Sequence, residues 1–219
     1  LALYFDGQPA IKELPRPEPG PGEVLVRVHL AGICGTDLQV LRGYHGFQGV
    51  MGHEFVGEVA APDNSPWLGQ RVAGEITIGC GACDLCRRGL AGHCRQRQVL
   101  GLKDRDGTFA QYLALPAANL HAVDPAIPDI LAVFTAPLAA ALRVLETAPV
   151  SPAARVLVVG DGSLGLQISW VLALSGPEVH LAGHHPGHLA LARPRGVAAF
   201  LAADLPAGNQ LPERIGCGV

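Results

Sequence analysis

The stretch Val156-Leu-Val-Val159-Gly160-Asp-Gly162-Ser-Leu-Gly165 decides how the second half of this chain folds. Four consecutive apolar residues read as a buried strand, and a G-x-G-x-x-G turn follows them. Beyond the turn, Ser163 to Ser175 has helical character, Glu178 to Leu181 reads as a second strand, and His188 to Ala192 is helical again. This β-α-β order requires a parallel sheet. Because the turn lies between a strand and a helix, the segment Gly160, Gly162, Ser163, Leu164 and Gly165 predicts a dinucleotide cradle. Backbone amides and the helix dipole there meet a pyrophosphate. An ordinary glycine turn is the alternative, and the strand-to-helix context disfavours it.

About 20 residues on, a carboxylate would bond the ribose hydroxyls of NAD. Gly183-His184-His185 stands there instead. Without that carboxylate, and with a protonatable His184, the preference shifts slightly toward NADP, so the expected cofactor is NADP or NAD. His180, His184, His185 and His188 read as a solvated surface set, with a histidine-rich metal patch as the weaker alternative and no metal assigned.

Upstream the texture differs. Glu23 to Leu30, Phe55 to Ala60, Arg71 to Ile78 and Thr108 to Leu115 read as strands, separated by turn-rich segments such as Pro15 to Gly22 and Ala61 to Gly69. That pattern predicts an irregular antiparallel barrel or sandwich. The texture changes near Pro125, Ile130 to Thr147 has helical spacing, and Pro149 to Arg155 supplies a break. The expected domains are 1–130, mostly β, and 131–219, α/β.

The chain has 219 residues, 49% hydrophobic and 16% charged, enough to bury a core. A net charge of -3 and a pI near 6.3 offer no electrostatic footprint for nucleic acid or an anionic membrane. No signal-peptide pattern opens it, and the Ala/Leu-rich stretch from Ile130 to Leu145 is interrupted by Pro137 and Arg143. A soluble, cytoplasmic protein acting on small molecules is the expectation, with neither nucleic-acid nor membrane partners.

Four of the six cysteines crowd into Cys80-Gly-Ala-Cys83-Asp-Leu-Cys86 and Cys94. Four thiolates at this spacing close a tetrahedral zinc site with no open position, which makes it structural. The alternatives are a pair of disulfides or a redox C-x-x-C, and a zinc ribbon that binds nucleic acid through Arg87, Arg88 and Arg95. Spacing favours zinc, and the acidic balance argues against nucleic acid.

Earlier, Gly32-Ile-Cys34-Gly-Thr-Asp37 follows a strand and Gly52-His53-Glu54 precedes another. A thiolate, an imidazole and a carboxylate can converge there as a mixed, open metal shell, with Asp37 holding the second nitrogen of His53. Taken singly, His53 reads as a satisfied core histidine and Cys34 as a buried free thiol.

In order and spacing, Gly-Ile-Cys-Gly-Thr-Asp, Gly-His-Glu and the four-cysteine lobe resemble the zinc-dependent medium-chain alcohol and polyol dehydrogenases. The resemblance covers nearly the whole chain. It implies a GroES-like catalytic barrel followed by a partial Rossmann domain, with one catalytic and one structural zinc. It makes Cys34 and His53 catalytic zinc ligands, places Glu54 at or beside the metal, and gives Thr36 the hydroxyl that bonds the substrate oxygen. Cys80, Cys83, Cys86 and Cys94 become the structural site. There are two departures. Ala136 stands where relatives carry Glu or Cys, and Gln39 where many carry a proton-relaying histidine, so Cys34, His53 and Glu54 must suffice with water, and Thr36 must release the proton to water.

The resemblance implies reversible hydride transfer between an alcohol or polyol, or the matching ketone or aldehyde, and the nicotinamide of NAD(P). It also implies a homodimer or homotetramer. Family members run well past this length, so a fragment lacking half of the nucleotide-binding sheet is expected. Two rival readings are a catalytically inactive zinc- and nucleotide-binding protein of the same fold, suggested by Ala136 and Gln39, and a purely structural zinc module, disfavoured by the intact glycine turn.

Overall fold

In β3 (Glu23–Gly32), Val24, Leu25 and Val26 are all buried, so the strand is covered on both faces at its start, while Arg27 and His29 are exposed. The computed structural model describes residues 1–204, so 205–219 of the second expected domain lie outside the described residues. It divides the chain into two compact units, Leu1–Ala136 and Pro137–Val219, where sequence texture placed the division at 130.

The first unit opens with β1 (Ala2–Phe5) and β2 (Pro9–Lys12), a hairpin that the sequence reading passed over. After β3 and the short helix α1 (Gly35–Val40), β1 pairs with β4 (Gly49–Val50). β3 then joins β5 (Glu54–Ala61), β6 (Arg71–Gly74), β9 (Tyr112–Pro116) and β10 (Leu120–Ala122) in an antiparallel sheet ordered β10-β6-β5-β3-β9. Two register shifts between β3 and β5 bend the pair. The sheet encloses Val24, Val26, Phe55, Val59, Val72, Leu100, Leu113, Leu115 and Leu120. Each such side chain, fully buried, contributes about 1.5–3 kcal/mol.

The expected strand from Arg71 to Ile78 is two strands in two sheets. β6 ends at Gly74, where the Glu75 amide bonds the Asn119 carbonyl, and β7 (Thr77–Ile78) pairs with β8 (Gln98–Val99) at the base of the cysteine lobe. The expected strand at Thr108 begins only at Tyr112, because the amides of Thr108 and Phe109 bond the carbonyls of Gly52 and Met51 instead of a sheet neighbour. The expected helix from Ile130 to Thr147 is α3 (Asp129–Ala132) and α4 (Thr135–Thr147), interrupted where buried Val133 packs beside Ala132 and Val56.

The second unit is β11 (Arg155–Val159), α5 (Ser163–Ser175), β12 (Glu178–Gly183), α6 (Pro186–Ala192) and β13 (Ala198–Leu201). Its three strands pair in parallel in the order β11-β12-β13. Leu166 and Leu172 of α5 and Leu189 and Ala192 of α6 bury against Val179, Leu181 and Val197. α5 stops at Gly176, whose left-handed φ of 115° ends it at low steric cost. Among the described residues no helix is long and apolar enough to cross a membrane.

Candidate metal centres and nucleotide turn

At the end of β3 the chain turns into α1, and Cys34 caps that helix. Asp37 folds back so that its Oδ2 accepts the Cys34 amide at 2.7 Å, while the Asp37 amide bonds the Cys34 carbonyl at 3.0 Å. A carboxylate satisfies an orphan amide of a first helical turn in this way. The other oxygen, Oδ1, faces His53 Nδ1 at 3.3 Å. The separation is that of an ion pair, but the angle departs from a hydrogen bond, and neither buried atom has another partner. Asp37 thus fixes the loop that carries Cys34 and stands behind the ring of His53.

His53 is held from its own side by Gly52, whose φ is 90° and where any Cβ would strike the Phe109 ring. The Sγ, imidazole and carboxylate donors of Cys34, His53 and Glu54 come within 4.8 Å of one another. Asp37, His53 and Glu54 are buried. Burial opposes a charge on His53, yet Asp37 and Cys34 outweigh it and push its pKa up to about 9. Burial likewise raises the Glu54 carboxyl, against the pull of His53. Buried groups of opposite charge, packed as an S, N and O donor set around one point, suit a divalent zinc ion. Thr36 lies beside this set, its Oγ1 3.6 Å from Cys34 Sγ, and Gln39 is exposed. Ala136 brings no donor atom.

The sulfurs of Cys80, Cys83, Cys86 and Cys94 also lie within 4.8 Å of one another, on a lobe built by α2 (Asp84–Arg87) and closed by β7 and β8. All are free thiols, so the disulfide alternative does not describe this lobe. Cys83 Sγ accepts the Cys86 amide at 3.4 Å, and Cys94 Sγ accepts the Cys80 amide at 3.5 Å. The amides of Ala82 and Cys83 pull the Cys80 pKa down to about 6, whereas burial and the neighbouring thiols push Cys86 up to about 11. Four such thiols resist ionising together, and a divalent cation relieves that repulsion. Arg87 donates to the Ala82 carbonyl and Arg95 pairs with Asp84, so both cations serve the lobe itself.

In the second unit, Gly160, Gly162, Ser163, Leu164 and Gly165 form the turn into α5, with Gly162 as its N-cap. A Cβ on Gly165 would meet the Gly160 carbonyl oxygen, so only glycine closes this strand-to-helix approach. Sequence reasoning passed over Asp161. Its carboxylate occupies the end of β12, where an added Cβ on Gly183 would fall 2.3 Å from the Asp161 Cβ, and Oδ2 accepts the His185 amide at 2.6 Å. The signal was its place between two turn glycines. His184 is exposed at this end of the strand.

An antiparallel sheet with a four-cysteine lobe is followed by a parallel unit with a glycine turn. Residues 20–125 match the model of the alcohol dehydrogenase GroES-like domain. The chain is 38% identical over 204 residues to an L-threonine 3-dehydrogenase of Streptomyces avermitilis, covering 87% of this chain and 58% of that protein. It is 39% identical over 178 residues to the starvation-sensing protein RspB of Escherichia coli, covering 78% and 52%. A solved structure described as a short chain alcohol dehydrogenase (rspB) from E. coli, complexed with NADH, superposes with a TM-score of 0.86 at 33% identity, over 94% of this chain and 64% of that one. Another, from Sinorhizobium meliloti 1021 and bound to NADP, gives 0.80 at 31% identity, over 90% and 60%. The chain belongs to the zinc-dependent medium-chain dehydrogenase family. It spans a little over half the length of the curated relatives it matches.

Proposed function

We propose that this chain is the metal- and nucleotide-holding part of an oxidoreductase that moves a hydride between an alcohol or polyol, or the matching ketone or aldehyde, and NAD(P). The observation that carries the reading is the convergence of Cys34, His53 and Glu54 within 4.8 Å in front of Asp37. These residues would hold the catalytic zinc, and Cys80, Cys83, Cys86 and Cys94 a structural one. When bound, zinc lowers the pKa of an alcohol and polarises a carbonyl, and the nicotinamide carries the hydride.

The rest falls to the protein. Thr36, beside Cys34, bonds the substrate oxygen and takes its proton in turn. With Gln39 exposed and unable to titrate, that proton leaves through water. Asp37 keeps Nδ1 of His53 turned away, which leaves Nε2 for the metal. Gly160, Gly162, Ser163, Leu164 and Gly165 direct amides and the α5 dipole at a pyrophosphate. His184 replaces the usual ribose carboxylate and leans the site toward NADP. Five free thiols among the described residues suit a reducing compartment such as the cytoplasm, and the assembly is a homodimer or homotetramer.

Ala136 favours a second reading, a zinc- and nucleotide-binding protein without turnover. The experiment is nicotinamide reduction over an alcohol panel that begins with L-threonine, the compound in the relatives' name, with NAD and NADP in parallel. Zinc content of metal-washed wild type and Cys34→Ser is measured alongside. Turnover, with two zincs falling to one in the variant, is the expected result. One zinc in both proteins refutes the catalytic centre, and two zincs without turnover establish the second reading.

A further inference from the structure

A third group of ligating side chains lies within the second unit and shares no residue with the two proposed zinc centres. One donor atom each from Asp161, His185 and His188 lies within 4.8 Å of the other two. We propose that these three residues form a binding site for a divalent transition-metal cation. The site lies at the end of β12 and includes Asp161 of the glycine turn, and the proposal does not rest on that turn's holding a nucleotide.

The donors are arranged as a metal shell needs them. Asp161 is buried, and its carboxylate is fixed by the His185 amide on Oδ2 at 2.6 Å. Oδ1 faces His185 Nδ1 at 3.1 Å. Two ligands, each about 2.0–2.1 Å from a tetrahedral zinc-like ion, stand about 3.3 Å apart. The proton shared by this pair can therefore be exchanged for a cation with a movement of a few tenths of an ångström. His188 is oriented from behind: its Nδ1 lies 3.0 Å from the Asp161 carbonyl oxygen, which can only accept. Nδ1 must carry the proton, so Nε2 keeps its lone pair, the tautomer set by the backbone bonds of ligating histidines.

The two rings stack at 4.8 Å between centroids, one helical turn apart at the start of α6. Both are exposed, so the ion has an entry path. Two imidazoles and one carboxylate with open positions suit Zn(II), Co(II), Ni(II) or Cu(II) rather than Mg(II) or Ca(II), which want oxygen alone. A simple helix cap would need only the Asp161–His185 amide bond. It gives no reason for the His188 ring to bond the Asp161 backbone carbonyl as well.

The test is calorimetric titration with Ni2+ of metal-washed protein that holds two zincs per chain, for wild type, His188→Gln, and His185→Ala/His188→Gln. His188 is exposed, so the single variant keeps the test open if the double variant folds poorly. The expected result is one Ni2+ equivalent in wild type that weakens at least tenfold in the single variant and vanishes in the double variant. Mg2+ gives no heat at the same concentration. Equal Ni2+ uptake and affinity in wild type and His188→Gln overturns the proposal.

Discussion

Replacing Asp37 by Asn removes one charge and adds one donor at a position that is 2% exposed. The amide oxygen of Asn can still accept the Cys34 amide, which Asp37 takes at 2.7 Å, so the cap survives and the helix start stays in place. The other end of the side chain then becomes an NH2 group 3.3 Å from His53 Nδ1. Two donors cannot face each other. The His53 ring must accept at Nδ1 and protonate Nε2, which removes the lone pair the metal needs. Loss of a group behind a metal-bound histidine costs about 10- to 100-fold in metal affinity, or about 1.4–2.7 kcal/mol. The assay is zinc content by mass spectrometry after dialysis against a series of free-zinc buffers. Expected is a variant that keeps the cysteine-lobe zinc at wild-type affinity and loses the second zinc at a 10- to 100-fold higher free concentration. Equal retention of both zincs in Asp37→Asn and wild type would refute the reasoning, because Asp37 would then not set the state of His53.

Gly165→Ala should abolish nucleotide binding, since its Cβ would press on the Gly160 carbonyl oxygen and force the turn open. The strain costs about 1–3 kcal/mol of stability, read as a lower thermal midpoint together with lost quenching of intrinsic fluorescence by NADPH. A pH effect should also follow from Asp161, whose pKa falls from 3.8 to about 2 in the fold. A depressed acid stabilises the native state above its unfolded pKa, and that contribution is lost as pH falls from about 4 through 2. Asp161→Asn should therefore flatten the acid limb of the unfolding curve in that window. Identical curves for variant and wild type would remove the assignment.

The parallel unit was legible because its information is local. A strand, a glycine turn and a helix follow one another within Val156 to Ser175, and each needs only its neighbours to be recognised. The hairpin of β1 and β2 was less so: Asp6-Gly7 marks its turn, with Gly7 at a φ of 102°, but strands of four residues each are too short for alternation to stand out. Similarly, Arg71 to Ile78 reads as one strand until the pairing of Thr77 and Ile78 with Gln98 and Val99 draws its end into another sheet. That competition lies between residues twenty or more positions apart, where periodicity carries no information.

For the site, the sequence determined the donor types. Thiols at 80, 83, 86 and 94 and the Cys34, His53 and Glu54 set are fixed by spacing, because a metal shell needs those atoms whatever surrounds them. The tertiary structure decided what those atoms can do. It brought Asp37 behind His53, set Thr36 beside Cys34, and placed the Asp161 carboxylate at the end of β12 facing two histidines that sequence alone read as solvated. Such pairings depend on which loops meet in space. Side-chain spacing along the chain reports only the chain's own short-range geometry, whereas burial and charge pairing arise when distant segments exclude water together.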